Sequence, residues 1–211
     1  MKSPFEDLTP FQRNKLFNLL GVHIFKFAKN EEILPTIKNE NIIGIILEGS
    51  AQINNIEYNG DEIVSEQLVK DSIFGSNISG TNREDCQIIA KEDTQVVVID
   101  YDKLINPINI KYSYFNVFFK NLFDIINSKF KESNERIEIL EKKQIREKLL
   151  KFFEIEYNKT FLRNINLDFS LRELADYLAV NRSAMFRELK HLKDDKLIEV
   201  DGRKIKILYE I

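Results

Sequence analysis

Two arginines five residues apart, Arg182 and Arg187, stand in the stretch NRSAMFREL at residues 181–189, with the hydroxyl of Ser183 beside the first. A guanidinium presents five N–H donors in a rigid fork, a shape that matches the O6 and N7 acceptors of guanine or two oxygens of a phosphate. If the stretch is helical, Met185, Leu189 and Leu192 turn inward and Arg182, Ser183, Phe186, Arg187, Lys190 and His191 are left outside. Side chains in the first turns of such a helix enter the major groove of duplex DNA. There a bidentate arginine–guanine pair discriminates against the wrong base by about 1–3 kcal/mol.

The neighbouring sequence supplies a mount for that helix. SLRELADYL, residues 170–178, opens with a capping box in which Ser170 and Glu173 satisfy each other's backbone N–H, and Leu171, Leu174, Ala175 and Leu178 make one apolar face. Ala179, Val180 and Asn181 break the phase, and Asn181 caps the second run. Two short helices joined by a tight turn form a helix-turn-helix. Such hairpins also occur as plain structure, and it is the outward cations that favour groove reading. Further on, LIEV and KIKIL flank Asp201-Gly202-Arg203, a two-residue hairpin signal that puts Arg203 and Lys204 at a tip suited to phosphate contact. The expected DNA contacts are Ser170, Asn181, Arg182, Ser183, Arg187, Lys190, Arg203 and Lys204.

The charge is unevenly spread. Residues 1–141 carry 15 Lys and Arg against 22 Asp and Glu, whereas residues 142–211 carry 16 against 12. A basic part joined to an acidic part fits a polyanionic partner for the basic one. The lone cysteine, Cys86, excludes an internal disulfide, a thiolate zinc site and an all-cysteine iron–sulfur cluster held by one chain. With only His23 and His191, a metal enzyme would need an almost all-carboxylate site, and no spaced carboxylate motif is present. No cofactor or metal is expected. No apolar run reaches membrane-spanning length and no signal-type segment opens the chain, so a soluble, cytoplasmic protein is expected.

Ahead of the helix-turn-helix, Phe11 to Leu20 has helical spacing and stops at Gly21. From Val22 to Asp100 the pattern changes to short β-branched runs, VHIFKFA, NIIGIILEG, SAQINNIEY, DEIVSEQLV, CQIIAKE and TQVVVID, separated by Asn- and Gly-containing turns such as Asn59-Gly60-Asp61 and Phe74-Gly75-Ser76. Such spacing describes an antiparallel sandwich or barrel. Asn106-Pro107 then reads as the start of a long helix running towards Leu140, with Phe115, Phe118, Phe119, Leu122, Ile125, Ile126 and Phe130 in its apolar stripe. The stripe is wider than one packing seam, and Phe115, Phe118, Leu122 and Ile125 are expected at a twofold dimer contact. Another helix is expected from Lys143 to Glu156, followed by a looser segment from Tyr157 to Asp168.

Over nearly its whole length the chain resembles the cyclic AMP receptor protein / fumarate and nitrate reduction regulator (Crp/Fnr) family. NIIGIILEGSAQI and SIFGSN fall where that family has barrel strands and turn glycines, RIEILEKKQIREKLLKFF resembles its hinge and first DNA-domain helix, and FSLRELADYLAVNRSAMFRELKHLKDDKLIEVDGRKIKIL resembles its winged helix-turn-helix. The resemblance implies an α+β fold: a cyclic-nucleotide-binding-type antiparallel β-roll (jelly roll) at residues 1–105, a dimerisation helix and hinge at 106–140, and a winged helix-turn-helix at 141–211. It implies a homodimer that reads a palindromic promoter site, with RNA polymerase as a partner and a small-molecule effector at the roll. Arg182 and Arg187 match the family's two recognition-helix arginines, the first for phosphate or base contact and the second for guanine. Ser183 replaces a frequent glutamate, and Ala179 replaces the usual turn glycine. In the effector pocket Gly75, Ser76 and Arg83 are the candidate residues. Glu84-Asp85 stand where nucleotide-binding members clamp the cyclic phosphate, which argues against cyclic AMP. A haem-based gas sensor with His23 or Cys86 as axial ligand, and a cupin-like barrel enzyme with an appended helical domain, stay as alternatives.

Overall fold

The computed structural model describes residues 3–33, 41–56, 62–75, 86–167 and 169–210. The chain divides into two compact units, residues 1–127 and 128–211.

The first unit opens with α1 (Pro10–Leu20), which ends at Gly21, φ 57°, as the sequence predicts; its start, a Thr9–Gln12 capping box, is an addition to the sequence reading. Among the described residues seven strands follow: β1 (His23–Phe27), β2 (Ile42–Glu48), β3 (Ala51–Ile56), β4 (Glu62–Leu68), β5 (Ile73–Phe74), β6 (Cys86–Ala90) and β7 (Thr94–Asp100). They form two antiparallel sheets, of order β1-β7-β2-β5 and β4-β3-β6. Alternation along β2 and β7 splits their side chains between two cores. Ile42, Ile46, Val96 and Val98 meet Ile53, Leu68, Ile88 and Ala90 of the other sheet, while Ile43, Ile45, Val97 and Ile99 pack with Leu16 and Leu20 of α1. Both faces are therefore dry, which is why IIGIIL and VVVI are unbroken apolar runs. The expected α+β roll is borne out.

The strand β5 lies in the SIFGSN segment; the residue pattern alone shows only a turn there, because two residues are too few to show a period. It pairs with Gly44 and Ile45. A Cβ on Gly44 would lie 2.2 Å from Phe74 Cζ, so the missing side chain is what lets that ring cross the strand. Asn59-Gly60-Asp61 lies outside the described residues.

After α2 (Tyr101–Leu104), Asn106 caps a 3-10 turn, Pro107–Lys111, and not the long helix itself. That helix, α3, runs Ser113–Leu140. Here the structure corrects the expected dimer contacts. Phe115, Phe118, Leu122 and Ile125 are at most 5% exposed, because they close the first unit's own core against Ile43, Ile45, Val97 and Ile99. The exposed apolar residues of α3 are Phe119, Phe123, Phe130, Ile137 and Leu140. With half-buried Ile126 they recur in the sequence at alternating four- and three-residue steps, broken only at Ser133, one edge round from the predicted contact residues.

The second unit holds the end of α3, α4 (Ile145–Thr160), β8 (Asn164–Asn166), α5 (Leu171–Tyr177), α6 (Arg182–Asp194), β9 (Ile198–Asp201) and β10 (Lys204–Ile207). Ile139, Leu149, Phe152, Phe153, Leu174, Leu178, Met185, Leu189, Leu192, Ile198, Ile205 and Ile207 share one core. Within the segment read as loose, α4 continues to Thr160, and β8 pairs with β10 as the third strand of a β8-β10-β9 sheet.

Candidate nucleic-acid interface

The helix-turn-helix is assembled from the capping chemistry that its sequence carries. Ser170 N–H donates to Glu173 Oε2 at 2.7 Å, and Glu173 N–H donates to Ser170 Oγ at 3.3 Å. The bond from the Ser170 N–H first, and then the Ser170 side chain, hold the Glu173 carboxyl below its ordinary pKa; the nearby Arg203 guanidinium adds to the effect. At the far end of α5, Lys148 Nζ donates to the Leu178 carbonyl at 3.0 Å, meeting an orphan acceptor with a cation. Ala179 makes the turn at φ 49°, left-handed without the glycine that would adopt it cheaply. Asn181 Oδ1 then accepts from Ala184 N–H at 3.1 Å and starts α6.

Helical periodicity sorts the side chains of α6 as expected. Met185, Leu189 and Leu192 are at most 4% exposed, and Arg182, Ser183, Phe186, Arg187, Lys190 and His191 lie on the solvent side. Ser183, Arg187 and Lys190, at i, i+4 and i+7, form one outward row. In the wing the loop is Gly202-Arg203, because Lys204 pairs with Asp201. Arg203 and Lys204 are exposed there, and Lys206 Nζ meets Glu199 Oε2 across the hairpin at 3.2 Å.

The predicted contact residues are not equally free. Ser170 and Asn181 spend their side-chain oxygens on caps. Arg182 donates from Nη2 to Asp176 Oδ2 at 2.8 Å and from Nε to Oδ1 at 3.4 Å, and these bonds raise the guanidinium's pKa. Among the described residues Arg187, Lys190, Arg203 and Lys204 have no ion-pair partner. Two residues escaped the sequence reading: Arg172, exposed on the first turn of α5, and Asp176. Asp176 lies six positions before its partner, across a turn, so no helical period marks the pair.

In the first unit, Gly75 is buried at φ 148°, and a Cβ there would lie 2.2 Å from the Ile42 carbonyl oxygen, so close backbone approach accounts for this glycine. Ser76 and Arg83 lie outside the described residues, as do Glu84-Asp85. His23 is exposed on β1 and Cys86 is buried in β6. Among the described residues no group of three His, Cys, Asp or Glu is placed to hold a metal ion, and no helix is long and apolar enough to cross a membrane.

Residues 143–210 match the Crp-like helix-turn-helix domain family. The chain is 26% identical over 187 residues to ycf28 of Porphyra purpurea, which carries the name of an HTH-type transcriptional regulator; the match spans 86% of this chain and 76% of that one. Among solved structures, CprK complexed with OCPA is 18% identical with a TM-score of 0.61, covering 92% of this chain and 90% of that one. A cyclic nucleotide-binding domain containing protein from Listeria monocytogenes EGD-e is 17% identical with a TM-score of 0.57, covering 93% and 97%. The catabolite activator protein of Thermus thermophilus is 14% identical with a TM-score of 0.51, covering 98% and 94%. At such identities the structural likeness establishes the fold.

Proposed function

We propose that this chain, a Crp/Fnr-type protein with its helix-turn-helix domain at residues 143–210, is a transcription regulator that binds double-stranded DNA as a homodimer. The observation that carries the proposal is the outward row of Ser183, Arg187 and Lys190 on α6, opposite a dry core and beside the exposed wing cations Arg203 and Lys204. Such a row fits the major groove, with Arg187 reading guanine and the wing meeting phosphates. Ser183 donates and accepts alike, so it relaxes base preference at its own position.

Two copies pair through the heptad seam of Phe119, Phe123, Ile126, Phe130, Ile137 and Leu140. An isologous pair of this kind presents two recognition helices to two half-sites about one helical turn apart. Residues 1–105 act as the sensor, residues 106–140 as dimerisation helix and hinge, and residues 141–211 as the DNA reader, with RNA polymerase as a further partner. An effector in the roll acts by preferring one dimer arrangement over another. By the family resemblance Glu84 and Asp85 stand at the position that clamps a cyclic phosphate, which makes that ligand an unfavourable choice.

The test is footprinting on the DNA upstream of the protein's own gene, over a salt series, against a random duplex. A protected palindrome supports the proposal, and equal affinity for both duplexes refutes it. Arg187→Ala is expected to lose discrimination between the two, whereas Lys204→Ala weakens both alike and lowers the salt slope by about 0.9 for each phosphate no longer neutralised.

A further inference from the structure

Asp176 faces the recognition helix from the end of α5 and engages Arg182 by one particular edge of its guanidinium. The bonds come from Nε, at 3.4 Å, and Nη2, at 2.8 Å, and they end on the two different oxygens of one carboxylate. That is a side-on, two-point bridge. A guanidinium has a second fork, formed by Nη1 and the other hydrogen of Nη2, which points along the side chain. Among the described residues no partner takes the Nη1 amine, and the Arg182 side chain is 56% exposed.

We propose that Asp176 is a positioning residue that determines specificity: by holding Arg182 side-on it leaves the end-on fork of Arg182 set to read guanine. The proposal rests on the DNA-reading function given above and assigns Arg182, open until now between phosphate and base contact, to a base edge.

Two physical effects favour this assignment. An unrestrained arginine samples many rotamers and must give up that freedom on docking, whereas a bridged one has already given it up. The carboxylate also cancels the net charge of the guanidinium. A charge-neutral pair adds little to attraction for phosphates, which depends on net cationic charge, but keeps the directional N–H donors that a base edge needs. Asp176 thus lowers affinity for DNA in general while sharpening the choice of base.

The experiment is selection from a randomised duplex library by the full chain, followed by base-preference profiles for wild type, Arg182→Ala and Asp176→Ala, with salt slopes on random DNA. Asp176 is exposed, and equal melting temperatures verify that the variants fold. Arg182→Ala is expected to erase a guanine preference at one position of each half-site. Asp176→Ala is expected to weaken that same preference about tenfold. It should also bind random DNA more tightly, with a salt slope steeper by about 0.9 per half-site, since a cation has been released. A stabilising role for the bridge in the turn alone would change the salt slope through the lost charge but leave the base preference as it is. Should wild type select no sequence, the DNA-reading function and this assignment fail together. A selected palindrome whose guanine preference is unchanged in Asp176→Ala, or changed at a position other than that of Arg182, overturns this assignment alone.

Discussion

Arg146 of α4 grips Asp195, the residue that ends α6, at 2.7 Å between Nη2 and Oδ2, and its Nη1 reaches Glu188 Oε1 on the same helix at 3.3 Å. One cation thus fastens α6 to α4, and its hydrogen bond to Asp195 is the main reason its pKa is raised. The Arg146 side chain is about a third exposed, so water screens the pair and its contribution is modest. Arg146→Met is expected to lower the stability of the second unit by about 1 kcal/mol in low-salt denaturant titrations. The deficit should shrink in about 1 M salt, where the Debye length falls to about 3 Å.

Glu173 gives the capping box a pH dependence with a definite sign. Its folded pKa lies below the ordinary 4.5, so the folded state binds fewer protons than the unfolded state between those two values, and stability rises with pH across that window. Glutamine keeps the acceptor oxygen and lacks the charge. Glu173→Gln should therefore melt below wild type at neutral pH, and the gap should close as the pH falls from 4.5 through the depressed value. A gap that is constant from pH 7 to about pH 3 would show that the charge contributes nothing.

Ala179 holds a left-handed turn that strains an L-residue by roughly 1–2 kcal/mol. Glycine removes that strain but has more unfolded-state freedom to lose, about 0.5–1 kcal/mol. Ala179→Gly is expected to raise stability by about 0.5–1 kcal/mol in thermal melts and to leave the base-preference profile as it is.

The two faces of α3 separate folding from the proposed pairing. Phe118→Ala empties a fully buried site and is expected to cost about 3–5 kcal/mol of stability in the first unit. Phe123→Glu puts a charge at an exposed seam position and should leave the first unit's melting close to wild type. Sedimentation at increasing concentration is expected to show it monomeric where wild type is dimeric.

Much of this architecture is legible in the sequence because local chemistry specifies it. The Ser170–Glu173 box, the Asn181 cap, the Gly21 stop and the Gly202 turn each depend on neighbours a few residues away, and the structure uses them as read. The features that sequence alone does not reveal depend on distant partners. Both edges of the α3 stripe are apolar, and distant residues such as Phe5, Ile43, Ile45, Val97 and Ile99 decide which edge is buried. Strand β8 is Asn-Ile-Asn, too short for its alternation to establish a period; its pairing with β10 makes it a strand. The Asp176–Arg182 bridge needs the turn geometry before the two side chains can be seen to meet.

Residues 4–6 are secured far along the chain. Asn121 of α3 donates to the Glu6 carbonyl at 2.8 Å and to the Pro4 carbonyl at 3.4 Å, and the Phe5 ring stacks on Phe118 with centroids 5.5 Å apart. On the ribosome, synthesis must proceed well past residue 121 before this stretch has anything to dock on. Every strand of the roll is made before its first few residues find their seat, so closure of the first unit waits for the arrival of α3.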